Sequence, residues 1–147
     1  MRHLLPALLL LAAGCLVHNI SAEEDLRDAV TDLNEGLRWS RMDVAIPRVA
    51  PAYRPKFAVA HRRWGDKMKI ADAELVGVRV GEDRSDAVST VAIRWYSLAT
   101  MTVHQAVIQQ RWERLEGGYF LVEEKVVDGD PNVLAPPPSD DDDTNTG

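Results

Sequence analysis

The chain has a single cysteine, Cys15, in 147 residues. That excludes an intramolecular disulfide and leaves packing to hold any domain together. Long apolar runs are scarce as well. The run from Leu4 to Ala13, broken only by Pro6, would span roughly 15 Å as a helix, about half the hydrocarbon thickness of a bilayer. No later stretch is apolar enough to replace it, so a permanent transmembrane helix is not expected. Motifs of common site chemistry are missing too. There is no HExxH and no paired-cysteine motif for zinc, no G-x-S-x-G nucleophile elbow, and no clustered glycines to cradle phosphate. The aspartates Asp140 to Asp143 lack the glycine and terminal glutamate of an EF-hand loop. Neither a metal nor a cofactor is expected.

The composition is that of a globular protein. Apolar residues make up 46% and charged residues 27%, with nine glycines and eight prolines. Setting aside the apolar leader and an acidic tail leaves about a hundred residues, enough for one core and too few for two. The net charge of −6 is unevenly distributed. Six acids, Asp128, Asp130 and Asp140 to Asp143, follow the last basic residue, Lys125; without them and Arg2, 16 basic and 17 acidic side chains nearly cancel. Within that remainder Glu23 to Glu35 is acidic and Arg38 to Lys69 is basic.

Arg2 and His3 precede the apolar run, which ends in the small residues Ala12, Ala13 and Gly14 before Cys15. This is the layout of a signal peptide over 1–14. Leu11-Ala12-Ala13-Gly14-Cys15 resembles a bacterial lipobox, although Ala12 stands where that motif usually has Leu. The resemblance implies cleavage between Gly14 and Cys15 and a diacylglyceryl thioether on the Cys15 sulfur. Small side chains at Ala13 and Gly14 suit the peptidase cleft. Leu16 comes next, where inner-membrane retention in enteric bacteria takes Asp, so the resemblance points to an exported chain anchored at the outer membrane and facing the periplasm. The other reading is a secretory leader cut after Gly14 or Ala22, with Cys15 incidental.

Residues 15–22 read as a lipidated tether. Ser21-Ala22-Glu23-Glu24 has capping-box spacing, and Leu26, Val30, Leu33 and Leu37 recur at helical spacing, so a helix is expected over 22–39 with its stripe reaching Trp39. Pro47, Pro51 and Pro55 rule out a second long helix directly after it. A short helix is expected at 43–49, and another at 51–64 with Tyr53, Phe57, His61 and Trp64 on one face and Gly65 as its stop. From Lys67 the period changes. Segments 70–80, 87–98, 102–115 and 119–127 are rich in Val, Ile, Thr and aromatics and read as four antiparallel strands in a meander. Val91, Ile93, Trp95, Ala106, Ile108 and Trp112 mark a dry face for the helices. The fold class is therefore α+β, N-terminal helices on a curved four-stranded meander. Residues 128–147, with Pro136 to Pro138 and four consecutive aspartates, read as a disordered acidic tail.

Helices leading into a meander that ends in Gln110-Arg111-Trp112-Glu113-Arg114-Leu115-Glu116-Gly117-Gly118-Tyr119-Phe120-Leu121 resemble the nuclear transport factor 2-like (cystatin-like) superfamily over residues 23–127. Leu33-Asn34-Glu35-Gly36-Leu37-Arg38-Trp39 is similar to the first-helix ending of bacterial lipoproteins of that kind. The resemblance implies a cone-shaped fold able to enclose a pocket. It leaves the activity open among isomerases, dehydratases, cyclases, binding proteins and dimerisation modules. Enzymes of the superfamily place an Asp or His in the pocket, and no residue here matches a catalytic motif of theirs.

Three sets of residues are candidates for chemistry. Asp72 and Glu74 share a strand face and could form a carboxylate pair with one raised pKa, or the wet end of a face continued by Val76, Val78 and Val80. His104 could be a general base if it faces a pocket with Tyr96, while His61 on the aromatic stripe reads as a packing residue. Arg54, Lys56, Arg62 and Arg63, with Tyr53, Phe57 and Trp64 interleaved, form a basic patch, read either as neutralising the acidic first helix or as meeting anionic lipid or envelope polymer. An exported acidic chain has little occasion to meet nucleic acid, and no such partner is expected. The leading expectation is a lipid-anchored, non-enzymatic binding or assembly module whose partner is an envelope protein or a small hydrophobic ligand. The alternatives are a proton-transfer enzyme using His104, Tyr96 or Asp72, and a homodimer formed through a sheet face bearing Arg94, Tyr96, Gln109 and Arg111.

Overall fold

The computed structural model describes residues 13–135, with side chains from Ser21 onward. Three helices, α1 (Ala13–Arg38), α2 (Met42–Ala45) and α3 (Arg54–Ala60), precede four strands, β1 (Met68–Val80), β2 (Asp86–Ser97), β3 (Val103–Leu115) and β4 (Gly118–Gly129). The strands form one antiparallel sheet in the order β1-β2-β3-β4, the meander read from the change of period. Residues 1–12 of the expected signal peptide over 1–14, and Asp140 to Asp143 of the expected tail, lie outside the described residues.

Helix α1 buries its stripe as expected. Leu26, Val30, Leu33 and Leu37, joined by Ala22 and Ala29, are buried against β1, α2 and β4. Its start differs from the expected one. The helix runs through Ser21, so the capping-box spacing there caps nothing, and the segment read as a tether is helical. No proline interrupts 13–21, and once a helix is nucleated each added residue gains a backbone hydrogen bond at little cost. The stripe ends before Trp39, which is 65% exposed. There Ser40 adopts a left-handed φ of 58°, and Arg41 N–H reaches back to Gly36 O at 2.7 Å while Ser40 N–H reaches Leu37 O at 3.2 Å. This is a Schellman stop with serine in the usual glycine position. Gly36 itself admits α2, since a Cβ there would lie 3.0 Å from Ala45 N.

Helix α3 is shorter than the expected 51–64. Pro55 sits in its first turn, and beyond Ala60 the chain tightens into three-residue hydrogen bonds, Arg62 N–H to Val59 O and Trp64 N–H to His61 O. Gly65 (φ 84°) therefore ends a turn and not a helix. The aromatic stripe survives the change. Tyr53–Phe57, Phe57–His61 and His61–Trp64 ring centroids lie 6.4, 4.2 and 4.4 Å apart.

The inner sheet face is dry along the middle strands, where Ala87, Val91, Ile93, Trp95, Ala106, Ile108 and Trp112 are buried. Four irregularities reset the alternation on the edge strands. In β1 the register shifts between Ile70 and Asp72 and between Leu75 and Gly77. In β4, Val126 pairs with Ile108 and Asp128 with Val107, and Leu121 pairs with Trp112 and Glu123 with Arg111, leaving Val127 and Val122 as the extra residues. A bulge moves every later residue of its strand to the opposite face. Val76, expected to share a face with Val78 and Val80, is consequently 62% exposed, while those two pack on the core.

The β4 edge is covered by residues 49–53. Val49 bridges Leu121, Ala50 N–H bonds Leu121 O at 2.9 Å, and Glu124 N–H bonds the Tyr53 hydroxyl at 3.1 Å. The chain after β4 is also ordered, against the expectation that everything from Asp128 belongs to the tail. Asp130 N–H bonds Gln105 O, Trp64 Nε1–H bonds Val133 O at 2.7 Å, and Ala135 N–H bonds Ala60 O. Val133 is fully buried, which repays ordering the segment. Gly129 permits the return, since its φ is 78° and a Cβ would strike Gln105 O and Ala106 Cα. Gly129→Ala is expected to cost about 1–3 kcal/mol in denaturant unfolding. Gly77→Ala, where a Cβ meets nothing within 4 Å, is expected to stabilise by up to about 1 kcal/mol.

Candidate functional site

The inner face of the sheet carries a continuous polar chain inside the apolar core. Trp112 Nε1–H donates to Ser89 Oγ at 2.9 Å, Ser89 Oγ–H donates to Gln110 Oε1 at 3.0 Å, and Gln110 exchanges amide hydrogen bonds with Asn34 at 3.0 and 3.1 Å. Gln110 Nε2 also reaches Glu124 Oε1 at 3.2 Å, and the other Glu124 oxygen lies 2.6 Å from His61 Nε2. The His61 and Glu124 side chains are each 1% exposed. Burying such groups without partners would cost several kcal/mol, so the chain is stable only as a nearly complete set. His61 Nδ1 is its unpartnered atom. Tyr53, next to Glu124, has its hydroxyl pKa pushed up to about 12, first by burial and then by the Glu124 charge.

Two open clefts flank this core. The first, of about 820 Å³, lies where the β2–β3 turn meets the start of β1 and the segment after β4, and is lined by Arg63, Met68, Trp95, Leu98, His104 and Asp130 among others. On its wall the His104 ring stacks on Trp95 with centroids 4.2 Å apart and planes 10° from parallel, and Nδ1 lies 2.6 Å from Asp130 Oδ2. The Asn132 backbone N–H holds the Asp130 carboxyl below its ordinary value. Burial opposes that, and the Asn132 amide and His104 add to it. The second cleft, of about 860 Å³, lies along the β4 edge between Tyr53, Lys56, Val59, Val122 and Leu134.

The expected pairing of His104 with Tyr96 is not formed. His104 stands opposite Trp95 in the register, so the two share the inner face, and Tyr96, one residue on, takes the other face. Asp72 is on that outer face as well, opposite Arg94. Its carboxylate accepts from Arg94 Nη2 at 2.8 Å and lies 3.8 Å from Arg38 Nη1. The Arg94 hydrogen bond lowers its pKa, the reverse of what an acid-base pair with Glu74 requires. The three candidate acid-base residues therefore do not converge.

The basic patch does not converge either. Arg63 lines the first cleft and Lys56 the second. Arg54 donates to Val49 O at 3.2 Å, Arg62 to Val59 O at 3.5 Å and Arg63 to Asn132 O. The acidic helix is met by the basic stretch at Asp32, 2.6 Å from Arg48, and at Glu35, 3.8 Å from Arg38. On the outer sheet face Arg94 and Arg111 are engaged within their own sheet, Arg111 with Glu123 and Glu113 at 3.0 Å.

Glu124, Gln110, Asn34 and Asp130 were missed from the sequence. Strict alternation from Tyr119 and Leu121 puts Glu123 inside, and only the bulge at Val122 brings Glu124 inward. Gln110 could have been found, because it lies between Ile108 and Trp112 on the dry face. Among the described residues no cluster of three or more His, Cys, Asp or Glu could hold a metal, and no helix is long and apolar enough to cross a membrane. No protein-family model, curated protein or solved structure matches the chain. The structure thus defines an α+β domain, helices packed on a four-stranded antiparallel sheet.

Glu124→Leu strands His61 and Gln110 and is expected to cost about 1–3 kcal/mol in denaturant unfolding, part of which His61→Phe in the same chain recovers. A second outcome concerns pH. Because the folded pKa of Tyr53 is raised, its contribution is complete below the ordinary value of 10.0 and is lost as pH rises through about 12. Unfolding measured across that window should show a fall in stability that Tyr53→Phe removes.

Proposed function

We propose that this chain is a lipid-anchored protein of the bacterial cell envelope, tethered through Cys15, whose nuclear transport factor 2-like domain is a non-enzymatic binding module. The observation that carries the non-enzymatic part is the fate of the acid-base groups. The most buried pair, His61 and Glu124, is sealed at 1% exposure, and Asp72 is neutralised by arginine on the opposite face from His104. What is open to solvent is cleft surface with a mostly apolar lining, suited to holding a small hydrophobic ligand or a protein segment. The anchor rests on Ala13-Gly14-Cys15 and the apolar run before it. Helix α1 passes residue 15 and continues into the core, so a lipid there would sit about 10 Å of helix from the buried Ala22. That short distance would hold the domain close to the membrane, and acyl chains on one residue supply the two-chain anchoring that a stable attachment takes. The outer membrane, on its periplasmic side, is the proposed location.

A second reading, a proton-transfer enzyme, draws on one observation. His104 and Asp130 are 2.6 Å apart at 29% and 23% side-chain exposure on the wall of the first cleft, and a histidine oriented by a carboxylate is a serviceable base.

The anchor is tested by the intact mass of the full chain expressed in a lipoprotein-competent bacterium, beside Cys15→Ser. A mature chain starting at Cys15 with diacylglyceryl or triacyl mass, lost in the variant, is the expected outcome. An unacylated wild-type chain would overturn it.

A further inference from the structure

The last described segment runs from one cleft to the other. Asp130 and Asn132 line the first, and Leu134 and Ala135 line the second. Along the way Asn132 O accepts from Arg63 and Val133 O accepts from Trp64 Nε1 at 2.7 Å. Ala135 N–H then bonds the carbonyl of Ala60, the last residue of α3, at 2.8 Å. The chain therefore reaches α3 from its C-terminal end and passes residue 135 on the wall of the second cleft. Twelve residues follow, Pro136-Pro137-Pro138-Ser139, Asp140 to Asp143 and Thr144 to Gly147.

The second cleft and the residues that follow it match in length, surface and charge. The α3 side of the cleft, from Ala60 through Val59 and Lys56 to Tyr53, extends about 10 Å along the helix, and three prolines in a polyproline helix span about 9 Å. Val59, Val122 and Leu134, each half-buried, supply apolar wall. A proline run covers such a wall at small entropic cost, because its φ is fixed before it docks. Beyond the prolines the charges are complementary. Between Asp43 and Asp66 the chain has five basic residues and no acid. Two of these, Arg54 and Lys56, are exposed in the first turn of α3 and have no ion-pair partner among the described residues. The carboxylates of the cleft itself are engaged elsewhere, Glu124 with His61 and Gln110 and Glu123 with Arg111 at 3.0 Å. We propose that the second cleft is filled by the C-terminal segment of this same chain, with Pro136 to Pro138 lying along α3 and Asp140 to Asp143 meeting Arg54 and Lys56. This goes beyond the reading of the domain as a binding module, since it leaves the first cleft as the one open to a ligand.

The test uses the full-length chain carrying Cys15→Ser and reads backbone amides by NMR. The heteronuclear NOE of the Ser139 amide is expected to match that of α3, and those of Asp140 to Asp143 to exceed those of Asn145 and Thr146. A Ser139 value as low as that of Thr146 would overturn the proposal. Pro137→Gly together with Pro138→Gly keeps Pro136, and with it the backbone restriction at Ala135. This variant is expected to lose the Ser139 and aspartate order and to shift the amide resonances of Val59 and Val122, which are remote in sequence from the change. Unmoved Val59 and Val122 resonances would place the segment elsewhere and overturn the contact. Asp140→Asn through Asp143→Asn is expected to lose the order of residues 140–143, and retention of that order would overturn the role given to Arg54 and Lys56. If the ordered signals of the wild-type chain vanish on dilution, the cleft holds the segment of a second copy and the intramolecular contact is overturned. The substitutions all lie beyond the last described residue, thermal unfolding verifies the fold of each variant, and the wild-type NOE decides without them. Failure at any of these points leaves the binding-module reading standing with both clefts open.

Discussion

The polar chain from Trp112 through Ser89, Gln110 and Asn34 to Glu124 and His61 is the constraint on which the rest of the fold depends. It joins α1, β2, β3, β4 and the turn after α3 through side chains that each require a specific partner. Apolar packing around it is forgiving, because a leucine can shift and still be buried. A buried carboxylate beside a buried imidazole cannot, since either left alone in a low-dielectric interior loses its hydration without compensation. The chain therefore selects one arrangement of helices on the sheet from the many that would bury the same hydrophobic area.

The edges of the sheet are set by the same arrangement. Bringing Glu124 inward requires the extra residue at Val122, and on either side of it the β4 edge presents an acceptor, Leu121 O, and a donor, Glu124 N–H, that Ala50 and Tyr53 satisfy. Tyr53 closes the circuit by accepting from Glu124 N–H. The segment beyond β4 then folds back onto Trp64 and Ala60, and in doing so creates one wall of the first cleft. Both clefts are thus by-products of how the last strand is secured. Loops and turns line them while the rigid face of the sheet forms their floor, the usual division between scaffold and binding surface.

Much of this architecture was legible in the residues. The stripe of α1, the aromatic series from Tyr53 to Trp64, the change of period near Lys67 and the turns at Gly81, Ala99 and Gly117 give the order of helices and strands and place each strand within two residues, because each is a local pattern read out by burial on one face. The ends were less legible. Helix α1 starts earlier than its capping-box spacing suggests, and α3 stops earlier than Gly65 suggests, since a turn signal states where a helix can end and tertiary contacts decide where it does. The site was less legible still. His104 was singled out with the wrong companion, as Tyr96 is one residue from Trp95 and so on the opposite face, and its actual partner, Asp130, lay in a stretch assigned to the tail.

The sequence by itself determined the order of helices before strands, the meander and the inward face of its middle strands, because periodicity of 3.6 or 2.0 residues is a property of neighbours along the chain. Tertiary structure alone decided which polar groups meet. Asn34 and Gln110, His61 and Glu124, and His104 and Asp130 are separated by 76, 63 and 26 residues, and two of the three depend on a strand irregularity or a chain reversal after β4. A one-residue bulge leaves almost no trace in composition yet turns a strand inside out, so the chemistry at the core and the clefts exists only once the sheet has closed on its helices.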